Sequence, residues 1–307
     1  MNIVSLHSVT KRYGSALAVD TVSLDIPSGC IFGLLGPNGA GKTSTIRMLN
    51  LITLPDSGTI EMFGEAQQPS HQDKIGYMPE ERGLYRKLPV REQLEYMGLL
   101  RGLSKDQLKK NIDYWLDRFE IQSWAKKKTG ELSKGMQQKL QFIVTLLHDP
   151  ELLILDEPLS GLDPINAEII NDIMLELKKK GKTIILSTHR MEQVEELCDE
   201  IALMNLGKVV VSGTLRSVKG AKGKKMVKVV FDGDDHFMNE LDRFPIRIAE
   251  KHPNQLLIEL LPGAVPNEIL QFITSKVSVI TWNMIEPPLK EIFLDAVNNN
   301  GASFQHA

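Results

Sequence analysis

Residues 31–43 read IFGLLGPNGAGKT, an apolar run that leads into a glycine-rich turn and then into a lysine and a threonine. The run predicts a buried strand and the residues after the turn a helix. Gly36, Gly39 and Gly41 permit backbone angles that a Cβ would forbid. The turn Gly36-Pro37-Asn38-Gly39-Ala40-Gly41 can therefore point its N–H groups inward at one anion. A helix opening at Lys42, with Thr43 and Ser44 in its first turn, adds the positive end of its dipole. Lys42 can reach the β and γ phosphates of a nucleoside triphosphate, and the Thr43 hydroxyl can hold Mg²⁺. The full G-x-x-x-x-G-K-[ST] pattern, set between a strand and a helix, predicts nucleotide binding.

The surrounding composition bounds the rest. A length of 307 residues allows two domains, and 42% hydrophobic with 24% charged residues is the balance of a soluble globular chain. A formal charge of -3 offers no global attraction to nucleic acid, and none is expected as a partner. The lysine runs at 126–128 and 178–180 read as solvated faces. Cys30 and Cys198, one in an apolar strand and one on a helix, suit small core positions in a reducing compartment. The first ten residues lack a basic segment followed by an apolar stretch, and no apolar run approaches the roughly 20 residues of a membrane span. A cytoplasmic chain is the expectation.

Working outward from the turn, alternating apolar residues predict strands at 3–9 and 17–26, joined by a loop holding Tyr13. An aromatic there can stack on a base or pack against the sheet. Strands follow at 59–63 and 75–78, then helices at 90–100 and 104–119, and a third after Ser133. Strands at 152–155, 183–187, 201–204 and 208–212 alternate with helices, which implies a largely parallel, mixed sheet. A basic, glycine-containing stretch at 216–225 reads as a linker. Beyond it the predicted order β-α-β-β-α-β over 226–300, with an extra helix, is that of a ferredoxin-like α+β domain, and 301–307 read as a disordered tail.

Hydrolysis needs more than a phosphate cradle. Four apolar residues carry Asp156 to the end of a strand, where its carboxylate can hold Mg²⁺ opposite Thr43. Glu157, one residue on, can polarise a water for in-line attack on the γ phosphate. His189 follows the next strand, placed either to contact that phosphate from the same sheet edge or to sit on the surface.

Together these residues resemble the ATP-binding subunit of an ABC transporter, over about residues 3–213. The resemblance implies an α/β P-loop ABC-type ATPase core at 1–215 with a helical subdomain at about 85–148. It makes Tyr13 the adenine-stacking aromatic, Asp156 and Glu157 the metal and base carboxylates, and His189 the switch histidine. Leu132-Ser133-Lys134-Gly135-Met136 stands where the family's signature belongs, and Ser160-Gly161-Leu162-Asp163 where the loop between subunits belongs. The signature helix start would offer Ser133 and Gly135 to the γ phosphate held by a second copy, so the resemblance implies a homodimer or a paired ATP-binding subunit. It further implies ATP and Mg²⁺ as ligands and a separate transmembrane permease that holds the chain at the inner membrane face. Two departures stand out. Lys134 replaces a glycine, placed near phosphate or in solvent, and Glu80 occupies the position of a metal-bridging glutamine. These variants and the C-terminal domain resemble the exporter branch that includes sodium-extruding systems. Relatives that act on DNA or ribosomes carry coiled coils, zinc insertions or two cassettes, for which this chain has no counterpart, and no guanine-reading Asn-Lys-x-Asp is present.

Overall fold

A computed structural model describes residues 1–81, 83–221, 225–285 and 288–302. The chain divides into two compact units, Met1–Leu215 and Arg216–Ala307.

The first unit opens with two long strands, β1 (Asn2–Tyr13) and β2 (Ala16–Pro27), paired antiparallel. Their alternation puts Val4, Leu6 and Val9 of one, and Val22, Leu24 and Ile26 of the other, on a single buried face. Tyr13 thus ends a strand and pairs with Ala16, instead of lying in a loop. β3 (Ile31–Leu35) leads to α1 (Lys42–Leu49), and β4 (Ser57–Met62) and the short β5 (Glu65–Ala66) complete an antiparallel sheet in the order β2-β1-β4-β5. β6 (Ile75–Met78) joins β3 in a different sheet, at its edge. The expected mixed sheet is the one that holds β3 and β6, while β1, β2, β4 and β5 form a separate antiparallel sheet, in keeping with the solvent-facing side of β1 and β2.

Three helices follow, α2 (Val90–Leu100), α3 (Lys105–Arg118) and α4 (Lys134–Leu146). Ser104 caps α3 by accepting from the Gln107 N–H, and the Gln107 side chain returns to the Ser104 N–H. Ser133 caps α4, accepting from the Met136 N–H at 3.2 Å. Phe119 and Phe142 meet edge-to-face where α3 ends against α4.

The chain then alternates strictly: β7 (Leu152–Asp156), α5 (Pro164–Lys179), β8 (Thr183–Thr188), α6 (Met191–Leu197), β9 (Glu200–Asn205) and β10 (Lys208–Thr214). The second sheet has the order β10-β9-β3-β8-β7-β6, parallel except for β10. Every residue of β3, β7 and β8 is buried, as continuous apolar strands covered on both faces must be. Register aligns Leu35 with Thr188 and Asp156 with Ser187. The residues that follow, Gly36, Glu157 and His189, consequently leave the sheet at one carboxyl edge, where open α/β sheets bind ligands.

The expected linker is largely a helix, α7 (Leu215–Ala221), with β11 (Lys225–Asp232) starting at its far end; 222–224 lie outside the described residues. Lys219 sits on the helix and Lys225 opens β11, an arrangement that glycine content alone did not rule out. The predicted helix near 237–244 is 3₁₀ over Asp235–Arg243, capped by Asp234. β12 (Ile246–His252), β13 (Gln255–Leu260), α8 (Pro266–Lys276) and β14 (Ser278–Ile285) follow. The antiparallel order β12-β13-β11-β14 matches the ferredoxin-like reading. Val227, Val229, Phe231, Ile258, Ile269 and Ile273 form its separate core. α9 (Leu289–Ala302) continues into the predicted tail, of which 303–307 lie outside the described residues.

The contact of α4 with β6 tolerates no extra atom. A Cβ on Gly76 would lie 2.5 Å from the Thr145 carbonyl oxygen and 2.8 Å from Pro150 Cγ. Gly76→Ala is expected to destabilise the first unit by about 1–3 kcal/mol, against about 1 kcal/mol for loss of the Ser104 cap in Ser104→Ala. Urea unfolding followed by fluorescence measures both, and a Gly76→Ala midpoint equal to wild type would disprove the tight contact.

Candidate active site

At the carboxyl edge of the parallel sheet lies a cavity of about 420 Å³. The turn and first helical residues from Asn38 to Ser44 form part of its wall, and Glu80, Asp156, Glu157 and His189 complete it with Ala18 and Ser160. Gly36 and Pro37 are not among the residues lining the cavity. Gly36 has φ +149°, and a Cβ there would come within 2.3 Å of the Met204 carbonyl oxygen of β9. Gly41, at φ +106°, would bring one within 2.5 Å of the Ala18 carbonyl oxygen. Both positions demand glycine on steric and conformational grounds.

The Lys42 ammonium donates to the carbonyls of Gly36 at 2.7 Å and Pro37 at 3.0 Å. Burial holds its pKa below the ordinary lysine value, while the charges of Glu157, Asp156 and Glu80 act in the opposite direction. The Thr43 hydroxyl donates to Asp156 Oδ2 at 3.2 Å, and Asp156 is almost wholly buried. These are hard oxygen donors of the kind Mg²⁺ takes.

Glu157 has φ 51°, a left-handed conformation uncommon for a side chain of this kind. Its N–H donates to the Ser187 carbonyl at 3.0 Å, which fastens the turn after β7 to β8. The carboxylate accepts from the His189 N–H at 3.1 Å, and His189 Nδ1 lies 2.6 Å from the same oxygen. Thr188 Oγ1 reaches the other oxygen at 3.4 Å. A carboxylate beside an anion cradle, oriented by an imidazole, can accept a proton from a water attacking phosphate.

Three expected site residues stand elsewhere. Tyr13 is exposed at the end of β1 and is not among the residues lining the cavity; Lys11 Nζ lies 5.7 Å from its ring centre. Ser133 lines a second cavity, shared with Lys134, Gln137 and Arg86, and Lys134 is exposed there. Gly135 packs near Leu162 and Gly161 of the loop before α5. Glu80 and Ser160 line both cavities. The motifs did not single out Ala18, Thr188 or Gln138, whose amide donates to the Pro158 carbonyl at 2.9 Å. Register with Leu35 marks Thr188, whereas Ala18 on β2 and Gln138 on α4 reach the site only through contacts between elements.

Comparison with known proteins accords with this geometry. A family model described as ABC transporter matches residues 19–160, and one described as ATP-binding protein DrrA1-3-like, C-terminal domain, matches residues 213–297. An AAA-domain model, described as putative AbiEii toxin of a type IV toxin–antitoxin system, overlaps the first at residues 128–193. The ABC transporter ATP-binding protein YhaQ of Bacillus subtilis is 42% identical over 296 residues, 96% of this chain and 98% of that protein. The Nod factor export ATP-binding protein I of a Rhizobium species is 39% identical over 69% of this chain and 70% of its own length. A solved ATP-binding subunit of an ABC transporter superposes with a TM-score of 0.68 at 29% identity, covering 72% of this chain and 93% of that one. An anion cradle at the sheet edge, acidic strand ends beside it and near full-length similarity to such subunits lead to one conclusion: the chain belongs to the ABC transporter ATP-binding proteins, ATPases, and carries a DrrA-like C-terminal domain.

Proposed function

We propose that this ATPase is the motor subunit of an exporter, working as a nucleotide-sandwich dimer with a separate membrane permease. One observation carries the reading. Thr43 with Asp156, and Glu157 with His189, form two close pairs on the wall of one cavity whose remaining wall is the glycine turn.

In this reading the N–H groups of the turn and of α1 hold the triphosphate, and Lys42 exchanges its two loop carbonyls for phosphate oxygens. Burial makes that charge pairing strong. Thr43, Asp156 and Glu80 would hold Mg²⁺, which supplies charge neutralisation on the phosphates. Glu157 accepts the proton of the attacking water, and His189 holds its carboxylate in place. Tyr13 stacks on the base. Ser133 and Gly135 meet the γ phosphate of the partner copy. Their separation from the cradle within one chain supports a site closed by two subunits.

Among the described residues no helix is long and apolar enough to cross a membrane, so the transport path belongs to another chain in this proposal. The subunit sits on the cytoplasmic face of the membrane through that permease, and α2 and the segment before it transmit the movement. Export is supported by the name of the Nod factor relative and by the Glu80 and Lys134 variants. Sodium is the finer form of the proposal. The domain limits proposed are an ATPase unit at 1–215, a 216–225 connection and an accessory unit at 226–300 that regulates or supports dimerisation. Action on DNA or ribosomes finds no supporting feature.

Glu157→Gln is expected to bind ATP while hydrolysis falls about 10²- to 10⁴-fold, and to elute as a dimer on sizing chromatography only when ATP is present. Hydrolysis at the wild-type rate would remove Glu157 as the base. Gentle detergent extraction of the tagged protein should co-isolate a multispanning membrane protein; repeated recovery with ribosomes or DNA instead would overturn the motor reading. Truncation after Ser217 should alter hydrolysis or the ATP-dependent dimer, and a truncated chain equal to wild type in both would discount the accessory unit's role.

A further inference from the structure

The α4 helix carries two buried glutamines, one helical turn apart, that bond to the loops on which Glu80 and Glu157 stand. The Gln141 amide donates to the Pro79 carbonyl at 2.9 Å and to the Glu81 carbonyl at 3.3 Å, one on either side of Glu80. Gln138 donates to the carbonyls of Pro158 at 2.9 Å and Glu157 at 3.4 Å. Both partners of Gln141 are acceptors, so its NH₂ end must face the loop. The other end is costly: Gln141 Oε1 is buried without a hydrogen-bond partner among the described residues. A methionine or leucine would fill the same space without that buried acceptor, but would take the donor from the Pro79 and Glu81 carbonyls. The donor end therefore does more than pack, since it holds two carbonyls of the segment that carries Glu80.

That contribution is positional. Glu80 is exposed, lies on an irregular segment after β6 and lines both the phosphate-loop cavity and the cavity beside Ser133. Among the described residues no hydrogen bond or ion pair of its own side chain fixes it, so the placement of its backbone sets what the carboxylate can reach. We infer that Gln141 is a positioning residue that sets the Glu80 carboxylate toward the metal side of the site, coupling it to the helix that Ser133 caps. Gln138 does the same for the backbone of Glu157. A shift of α4 then carries both loops with it. The inference rests on the reading of Glu80 as a metal-facing carboxylate.

The test uses the full chain and a fluorescent ATP analogue, titrated with Mg²⁺ and again in excess EDTA; the ratio of the two affinities isolates the metal. Gln141→Met keeps the length of the side chain and removes the donor. It should lower the ratio about 10-fold or more, with EDTA affinity and melting temperature unchanged. In a Glu80→Ala background the same change should add nothing, since the two act through one carboxylate. If Gln141→Met does not fold, Gln141→Glu, which keeps the shape and replaces donor by acceptor, should lower the ratio likewise. An unchanged ratio beside an effective Glu80→Ala would overturn the inference alone, as would full additivity of the two substitutions. Glu80→Ala without effect on the ratio would overturn the reading of Glu80, and the inference with it.

Discussion

The Lys42 ammonium, buried and turned onto the carbonyls of Gly36 and Pro37, shows the constraint on which the site depends. A cation can be kept here only because the turn around it is nearly all backbone. The turn in turn keeps its shape because β9 and β2 press on it from behind. The Met204 carbonyl oxygen would lie 2.3 Å from a Gly36 Cβ and the Ala18 carbonyl oxygen 2.5 Å from a Gly41 Cβ. The Gly207 N–H also donates to the Ala40 carbonyl at 3.0 Å. The cradle is thus braced by the hairpin of β9 and β10, an element far along the chain. Parallel pairing of β3 with both β8 and β9 makes that bracing possible.

The acidic side of the site stores its own cost. Glu157 takes a left-handed backbone that costs of order 1–3 kcal/mol for such a residue, and its N–H bond to Ser187 shows what offsets it. The left-handed turn reverses the chain directly after Asp156, so two consecutive carboxylates serve different neighbours. Asp156 stays in strand register and meets Thr43, whereas Glu157 swings to His189. Extended backbone at 157 would point the two side chains to opposite faces of the sheet.

How far the amino-acid sequence reveals this varies with the range of the interaction. The cradle is legible because glycine spacing, lysine and threonine all act within one turn and one helix start. Asp156 and Glu157 are legible because a fully apolar strand leaves little doubt where it ends. The inner face of α5, with Ile170, Ile173 and Met174, follows from its period, and these residues are buried. What escapes is whatever depends on pairing between distant segments. β1 runs on to Tyr13 because its partner, β2, supplies a ladder there, a fact no local pattern holds. The split into two sheets and the role of Ala18 are of the same kind. α7 escapes for a different reason: glycines at 220 and 223 mimic a linker, yet Leu215–Ala221, which includes Gly220, is helical.

The signature region illustrates how one hydroxyl can serve two ends. Ser133 Oγ accepts the Met136 N–H and so closes the start of α4 with a lone pair. The hydroxyl hydrogen stays free to rotate outward, since capping uses only the acceptor side of the group. Lys134, exposed beside it, lines the same cavity at the helix start. An alanine at 133 would lose both the cap and the outward donor, whereas an aspartate would keep the cap and present only negative charge. A threonine would keep both functions. In the proposed dimer, an anion brought by a second copy would favour a hydroxyl over a carboxylate at this cap, on grounds of charge and not of helix stability.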